Sequence, residues 1–414
     1  MGNMICRGIV AIWLGLLATD SIATTLTIAS YPNFDASVRE MISEYEKANP
    51  EIKIRLVSLS YYDHHNSLYT ALKTNTPIAD VVGIEQGFIS KFVYSGKLTA
   101  LSHAPFDAEK YSDRLTPFMV VNGRGNDGQL YALPADIGPG TLFYRPDKLQ
   151  QAGVSIDDLT RSWEEFIQAG VKLKAQGILL LANAEEIKDV YIRTGIKSGE
   201  GIYFDAAGRV LVNSPRFVTA FTLAKQIRTA GLDGRLQIWS NDWAESIRRG
   251  HVATLMMGAW FTDHLASWIA PQDAGRWRAH QLPGNVYANW GGSYYAIPQN
   301  AAHKAEAWDF IRYMTLAPQV QRHLFTKLDT FPALMAAQAP DLMSQPVPYL
   351  GNQPARQLWH TAANTMPAIV ANKHDAYAAE IVRKQLDLVL DNDKDIQQAL
   401  ADAERQIQRK IQRP

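Results

Sequence analysis

Two carboxylates and two indoles carry most of the chemistry in this sequence. Glu85-Gln86 closes the apolar run Ala79–Ile84, and Asp136 sits inside Ala135-Asp136-Ile137-Gly138-Pro139-Gly140. Trp260 follows Gly258-Ala259 after the apolar run Val252–Met257. Trp290 precedes Gly291-Gly292 and the run Tyr294–Pro298. A carboxylate accepts two hydroxyls at once, and charge-assisted hydrogen bonds are the stronger kind. Glycine lets a ligand approach the backbone closely, and an indole beside it offers a flat apolar face with one N–H donor. These groups suit a neutral solute with apolar C–H faces and a hydroxyl rim, a description that fits a sugar. The candidates are Glu85, Gln86, Asp136, Trp260, Trp290, Gly292 and Tyr294, with Tyr31 and Tyr62 at other strand ends.

Competing chemistries leave weaker traces. Glu85 and Asp136 beside aromatic platforms could be the carboxylate pair of a glycosidase, whose separation a sequence does not give. The string Gly291-Gly292-Ser293 lacks the trailing glycine of a nucleophile elbow. No H-E-x-x-H occurs, and the adjacent His64-His65 pair does not lie on one helical face. No cofactor and no metal are therefore expected. A phosphate ligand would need a cation, and Arg145, Arg248 and Arg249 are the candidates; the last two fall late in a helix and read as solvent-facing. With 41 Lys+Arg against 41 Asp+Glu the formal net charge is zero, which argues against nucleic acid or an anionic membrane as partner.

The elements that must position these residues follow from periodicity. Leu26 and Ile28 alternate with threonines up to Tyr31-Pro32, giving a strand and a turn. Val38, Met41, Ile42 and Tyr45 recur at helical spacing until Asn49-Pro50. Ile52, Ile54 and Leu56 mark a second strand, Leu68, Ala71 and Leu72 a second helix, and Ala79–Ile84 a third strand. This βαβαβ order implies a parallel sheet, and ligands of such sheets sit beyond the carboxyl ends of the strands. Here those ends are Tyr31, Leu59–Tyr62 and Glu85-Gln86. Two glycines and Pro139 within Ala135–Gly140 read as a hinge between Gln129–Pro134 and Thr141–Arg145. Ser162-Trp163-Glu164-Glu165 opens a helix, Ile178–Leu181 reads as a strand, and a helix with Phe217, Phe221 and Ile227 ends at Gly231. Trp243 and Ile247 share a helix face, which makes Trp243 a core residue. Ile396, Leu400, Ala403, Ile407 and Ile411 form one stripe of a final helix.

The amino terminus reads as an export signal, with Arg7, an apolar stretch Gly8–Ala18 and the small-x-small site Ser21-Ile22-Ala23. The expected leader is 1–23. The one cysteine, Cys6, lies inside it, so the exported chain would hold no disulfide and no lipid-anchoring thiol. A soluble periplasmic protein is the expectation.

Several longer strings carry a resemblance. They are "EYEKANPEIKIRLV", "ADVVGIEQGFISKFVYSGKLTAL", "YALPADIGPGTLFYRPDKLQQAGV", "RGHVATLMMGAW" and "NWGGSYYAIP". In this order they resemble the extracellular solute-binding proteins of ABC importers, specifically the maltose-binding-like sugar group. Ala79 stands where that family usually has Pro, and Arg145 where Asn is common. The resemblance implies an α/β fold of two lobes, each a mainly parallel sheet flanked by helices, with several hinge crossings. It puts residues 24–137 plus 282–317 in lobe one and 138–281 plus 318–414 in lobe two, with crossings near Gln281–Pro283 and 316–320. It places a sugar-bonding acid or amide at Glu85-Gln86 and a cleft residue at Trp239, and raises Arg356 and Trp359 as further candidates. It implies a monomeric carrier, not an enzyme, that closes on a mono- to oligosaccharide and hands it to ABC permease subunits. A polyol, a glycerophosphodiester or a peptide are alternative cargoes within the same fold.

Overall fold

The computed structural model describes residues 23–197 and 199–412. Most of the expected leader, Cys6 included, lies outside the described residues. Strand β1 (Thr24–Ser30) pairs in parallel with β2 (Ile52–Ser58) on one side and β3 (Val81–Glu85) on the other. Helix α1 (Phe34–Ala48) buries Val38, Met41 and Tyr45, and α2 (Tyr61–Thr74) buries Leu68 and Leu72. Ser60 caps α2 by accepting from the Asp63 amide. This is the expected βαβαβ unit, with β1 lying between β2 and β3 and buried at every position from Leu26 to Ser30.

The sheet then departs from a simple parallel order. Its path is β2-β1-β3-β7-β4-β5, with β6 also on β4. Strand β4 runs unbroken from Ala132 to Tyr144, β5 spans Thr254–Gly258, β6 Arg278–His280 and β7 Asn289–Ala296. The expected hinge, Ala135–Gly140, is the middle of β4, where the strand changes partners. Its prolines are accommodated by irregularities: the β4–β7 register shifts between Pro134 and Asp136 and again between Ile137 and Pro139. A proline has no N–H to lose where the ladder is already broken. The first half of β4 pairs with β7, and the second half pairs with β5 and β6. At Gly138 the two strands nearly touch, and a Cβ there would lie 2.1 Å from the Trp290 carbonyl oxygen.

Two further differences concern connections. Ile178–Leu181 is not a regular strand, because its partners change at each residue. Leu179 bridges Val252 while Leu181 bridges Asp233, each in isolation. The chain crosses back at Asn289–Gly292 rather than Gln281–Pro283, since Leu282 and Ala288 still pack with the second body.

Side chains divide accordingly. One buried cluster joins Leu26, Ile28, Phe34 and Tyr295 with Phe310 and Ile311. Another joins Phe166, Leu173, Phe217 and Phe221 with Leu400, Ala403 and Ile407, so the final helix stripe packs as its periodicity requires. A third runs along the middle of β4 and β7. The helix Pro318–Leu328, assigned to lobe two by the expected boundary, puts Val320 and Leu324 in the first cluster. Leu334 and Ala337 join it there. No crossing therefore falls at 316–320. By Tyr349 the chain is on the second body, where its hydroxyl donates to the Ala270 carbonyl.

Gly138→Ala is expected to cost about 1–3 kcal/mol of stability by forcing β4 and β7 apart. Thermal unfolding followed by circular dichroism checks this; an unchanged melting temperature would contradict the close approach.

Candidate functional site

The register of three strands builds the site. Glu85 pairs with Ser293 across β3 and β7, and Ser293 pairs with Asp136 across β7 and β4. Directly opposed residues of antiparallel strands present their side chains on one face, so the two carboxylates flank the Ser293 hydroxyl in a row. Glu85 is tightly positioned. Its Oε2 accepts from the Tyr61 hydroxyl at 2.7 Å and from the Gly87 amide at 2.7 Å. Its own amide donates to His65 Nε2 at 3.1 Å, while His65 Nδ1 lies 2.7 Å from the Tyr61 carbonyl. Burial holds the His65 imidazole down at about 3, so the ring is neutral, with its proton on Nδ1.

Burial governs both acids. It pushes Glu85 above the usual carboxylate range, although hydrogen bonds from Tyr61 and Gly87 and the charge of Arg193 pull it back. Burial pushes Asp136 up to about 7; the hydroxyl and amide of Ser293 favour its charged form, and the charge of Glu85 opposes it. A row of this kind can donate as well as accept near neutral pH, which suits hydroxyls.

The indoles close the other side. Trp260, just past the end of β5, donates its Nε1–H to the Trp290 carbonyl at 2.8 Å. It is thereby fixed against β7, and its one donor is used inside the protein. A Cβ on Gly291 would lie 3.2 Å from Trp260 Nε1 and 3.7 Å from Glu85 Oε1, so Gly291 leaves the indole and the carboxylate facing one small space. Trp239 stacks on Trp260, with ring centroids 6.1 Å apart and planes within 19°. Trp239 is 48% exposed and adopts φ +71°, a left-handed backbone that is uncommon for a bulky residue. Strain of this sort persists where its surroundings enforce it and clusters at functional sites. Arg193, from the second body, lies over the Trp290 ring at 4.5 Å from its centroid.

The structure therefore brings Glu85, Asp136, Trp239, Trp260 and Trp290 together. It treats the other candidates differently. Tyr294 is fully buried, and its hydroxyl donates to the Met119 carbonyl at 3.1 Å, so it is a core residue. Side chains alternate along a strand, and Ser293 already takes the site face. Tyr31 is buried behind the row, its ring between Phe34 and His64-His65. The two adjacent histidines meet that one ring and each other, with their own centroids 4.9 Å apart. Gln86 is reached by Asn289 Nδ2 at 2.8 Å. Gly292 is buried with φ +136°, against Met119 and the Asp136 carbonyl. Tyr62 is 68% exposed. Trp359 is fully buried, and Arg356 pairs with Asp329 at 2.9 Å; neither stands in the site. Trp243 is fully buried, as its helix spacing implied. Arg145 is spent on Asp147 and Asp273.

Sequence reading missed Tyr61 as the group that holds Glu85, although it falls in the strand-end stretch Leu59–Tyr62. It missed Ser293, for which strict alternation from Tyr294 was the available signal. Arg193 gave none, being one charged residue among several after a short helix.

Two α/β bodies sharing one sheet, with polar and aromatic groups meeting where strands pass between them, form the two-lobed architecture of periplasmic binding proteins. Solved structures agree. A crystal structure described as extracellular solute-binding protein family 1 superposes with a TM-score of 0.78 at 24% identity, over 93% of this chain and 99% of the other. The sugar-binding protein MalE of Xanthomonas citri gives 0.74 at 20%, over 93% and 97%. A family model for bacterial extracellular solute-binding proteins matches residues 40–348, and the chain belongs to that family. Among its relatives, the lactose-binding protein of Rhizobium radiobacter is 27% identical over 310 residues, 72% of this chain and 71% of that one. The arabinooligosaccharide-binding protein of Bacillus subtilis is 22% identical over 311 residues, 71% and 69%.

The raised Asp136 carboxyl makes ligand-free stability depend on pH. The folded protein keeps a proton that the unfolded chain releases above about pH 4. This contribution to stability is complete at low pH and declines as pH rises towards about 7. Thermal melts across that range should show a decline, to which the buried Glu186 and Asp375 also contribute, and Asp136→Asn should make it shallower. An unaltered slope in the variant would contradict the assignment.

Proposed function

We propose that this protein captures a sugar, mono- to oligosaccharide, in the gap between its two bodies and delivers it to the membrane subunits of an ABC importer. The observation that carries the reading is the Glu85–Ser293–Asp136 row, set beside Trp260 and Trp239 where β4 and β7 pass between the bodies. Two carboxyls with raised affinity for protons can accept from and donate to hydroxyls, and an indole face covers the C–H side of a pyranose or furanose ring. The lactose- and arabinooligosaccharide-binding relatives support the same ligand class. Binding energy would be gained only when both bodies contact the sugar, so the sugar selects the closed arrangement.

The first body is residues 24–137 plus 289–317, extended by the helix Pro318–Leu328 and the segment up to Ala337, which pack with it. The second is 138–288 with the remaining carboxyl-terminal helices. The protein works as a monomer in the periplasm, after cleavage of residues 1–23 and without a lipid anchor. No helix among the described residues is long and apolar enough to cross a membrane. We read it as a carrier and not a glycosidase on the strength of its solute-binding family and its sugar-binding relatives.

A thermal-shift screen of the mature chain against mono-, di- and oligosaccharides, polyols and glycerophosphodiesters is expected to show stabilisation by a sugar. Stabilisation by polyols or phosphodiesters alone would overturn the reading. With that sugar, Trp260→Ala should weaken binding by about 1–3 kcal/mol in titration calorimetry, from lost apolar contact. Unchanged affinity would remove Trp260 from the site.

A further inference from the structure

The carboxyl row is short of hydrogens. Antiparallel pairing puts Ser293 opposite Glu85 on one side and Asp136 on the other. A serine hydroxyl has one hydrogen to give, so it satisfies one of the flanking carboxyls and not both. Other donors are few. Tyr61 and Gly87 both donate to Glu85 Oε2, which leaves Oε1 beside the space at Gly291. The Trp260 N–H is already given to the Trp290 carbonyl. The Tyr31 hydroxyl, buried behind the row, makes no hydrogen bond among the described residues.

The row is short of positive charge as well. Arg193 is the cation whose charge acts on Glu85, and it comes from the second body while lying over the Trp290 ring. The groups that act on Asp136 are Ser293 and Glu85, and neither is a cation. Two carboxylates with one hydroxyl between them and no counter-ion at Asp136 are relieved by a single proton. Burial accordingly holds Asp136 up at about 7. Water can deliver and remove that proton, because Asp136 is the one residue from Ala132 to Phe143 that is not fully buried.

A sugar changes the count. Its hydroxyls are donors, and a hydroxyl that donates to a carboxyl oxygen favours the charged form. We infer that the Glu85–Ser293–Asp136 row carries one proton in the ligand-free protein and gives it up when ligand hydroxyls take its place, so that capture is coupled to proton release. This rests on the sugar-binding reading and adds to it a dependence on external pH. The proton leaves Asp136 for bulk water or buffer, the sugar keeps all its own hydrogens, and no bond of the sugar breaks. Affinity therefore rises with pH up to about 7 and is level above it. A carrier built this way holds its cargo less tightly in acid.

The groups around the row do not titrate in the same window. On α2, burial lowers His64 and His65, so both rings are neutral. Tyr61 and Tyr62 beside them are raised by burial and stay protonated. The same holds for Tyr31 after β1 and for Tyr294 and Tyr295 on β7. Arg193 is cationic throughout. The two acids of the row are what remains.

The test is titration calorimetry of the mature chain with lactose and with arabinotriose at about pH 5, 6, 7 and 8, each in two buffers of different ionisation enthalpy. The difference between buffers reads the number of protons exchanged. For the sugar that binds, the expected result is net release of several tenths of a proton near about pH 6, with affinity rising about tenfold from the lowest pH to neutrality. Asp136→Asn should remove the release and flatten the rise, at whatever affinity it retains. Glu186→Gln, Asp263→Asn and Asp375→Asn take away acids elsewhere that burial raises, and each should leave the release in place. No exchanged proton, uptake instead of release, or release that survives Asp136→Asn would overturn the inference while leaving sugar binding intact. Loss of the release in one of the outlying variants would overturn it too. Should Asp136→Asn not bind, the wild-type protein and the outlying variants decide. If neither sugar binds at any pH, the sugar reading fails and this inference fails with it.

Discussion

Everything in the site depends on one strand being threaded between two others. β7 runs antiparallel to both β3 and β4, and a single residue, Ser293, lies opposite Glu85 on one side and Asp136 on the other. Two carboxyls 51 residues apart in the chain, at 85 and 136, become neighbours in one row only in that register. A slip of one residue would turn Ser293 away and present Tyr294 in its place. The register is held from outside the row: His65 takes the Glu85 amide, Tyr61 and Gly87 hold its carboxylate, and the shift at Pro134 re-aims Asp136. Placing two acids this way in a dehydrated position raises their affinity for protons, and the protein tolerates that cost because the surrounding hydrogen bonds partly offset it.

The same threading joins the halves of the molecule. β4 belongs to the first body at Ala132 and to the second at Tyr144, and β7 leaves the second body at Asn289 to enter the first. The indoles belong to this arrangement as well. Trp260 sits just past β5, the strand beside the far half of β4, and ties itself to the Trp290 carbonyl on β7. Any relative motion of the two bodies would be taken up in β4 and β7, where the register is already irregular, and in the connection between Ala337 and Tyr349.

Much of this was legible in the sequence, for physical reasons that can be named. Alternation in Ile52–Leu56 and helical spacing in Val38–Tyr45 specify elements whose burial follows the pattern, and Leu26–Ile28 marks a strand that is buried on both faces. Glu85 and Trp260 stood out as candidates because they follow apolar runs. The continuity of β4 was not legible. Its Pro134, Gly138 and Pro139 carry the composition of a turn, and only the presence of β7, at a distance too short for a side chain, makes an extended strand the better solution. Tyr294 was misplaced because aromatic character was weighed above alternation. The crossings came later than expected, since Ala288 and Val320 each pack with the body the chain had been taken to have left. Arg193 reaches Trp290 through tertiary packing that no local pattern encodes.

The central claim is that a sugar lies across the carboxyl row with its apolar face on the indoles. The most direct measurement is a crystal structure of the mature protein with the sugar selected by thermal shift. The account requires sugar hydroxyls within hydrogen-bonding distance of both Glu85 and Asp136, and a ring face against Trp239 or Trp260. A sugar bound elsewhere, or one bound between the bodies without touching either carboxylate, would contradict it.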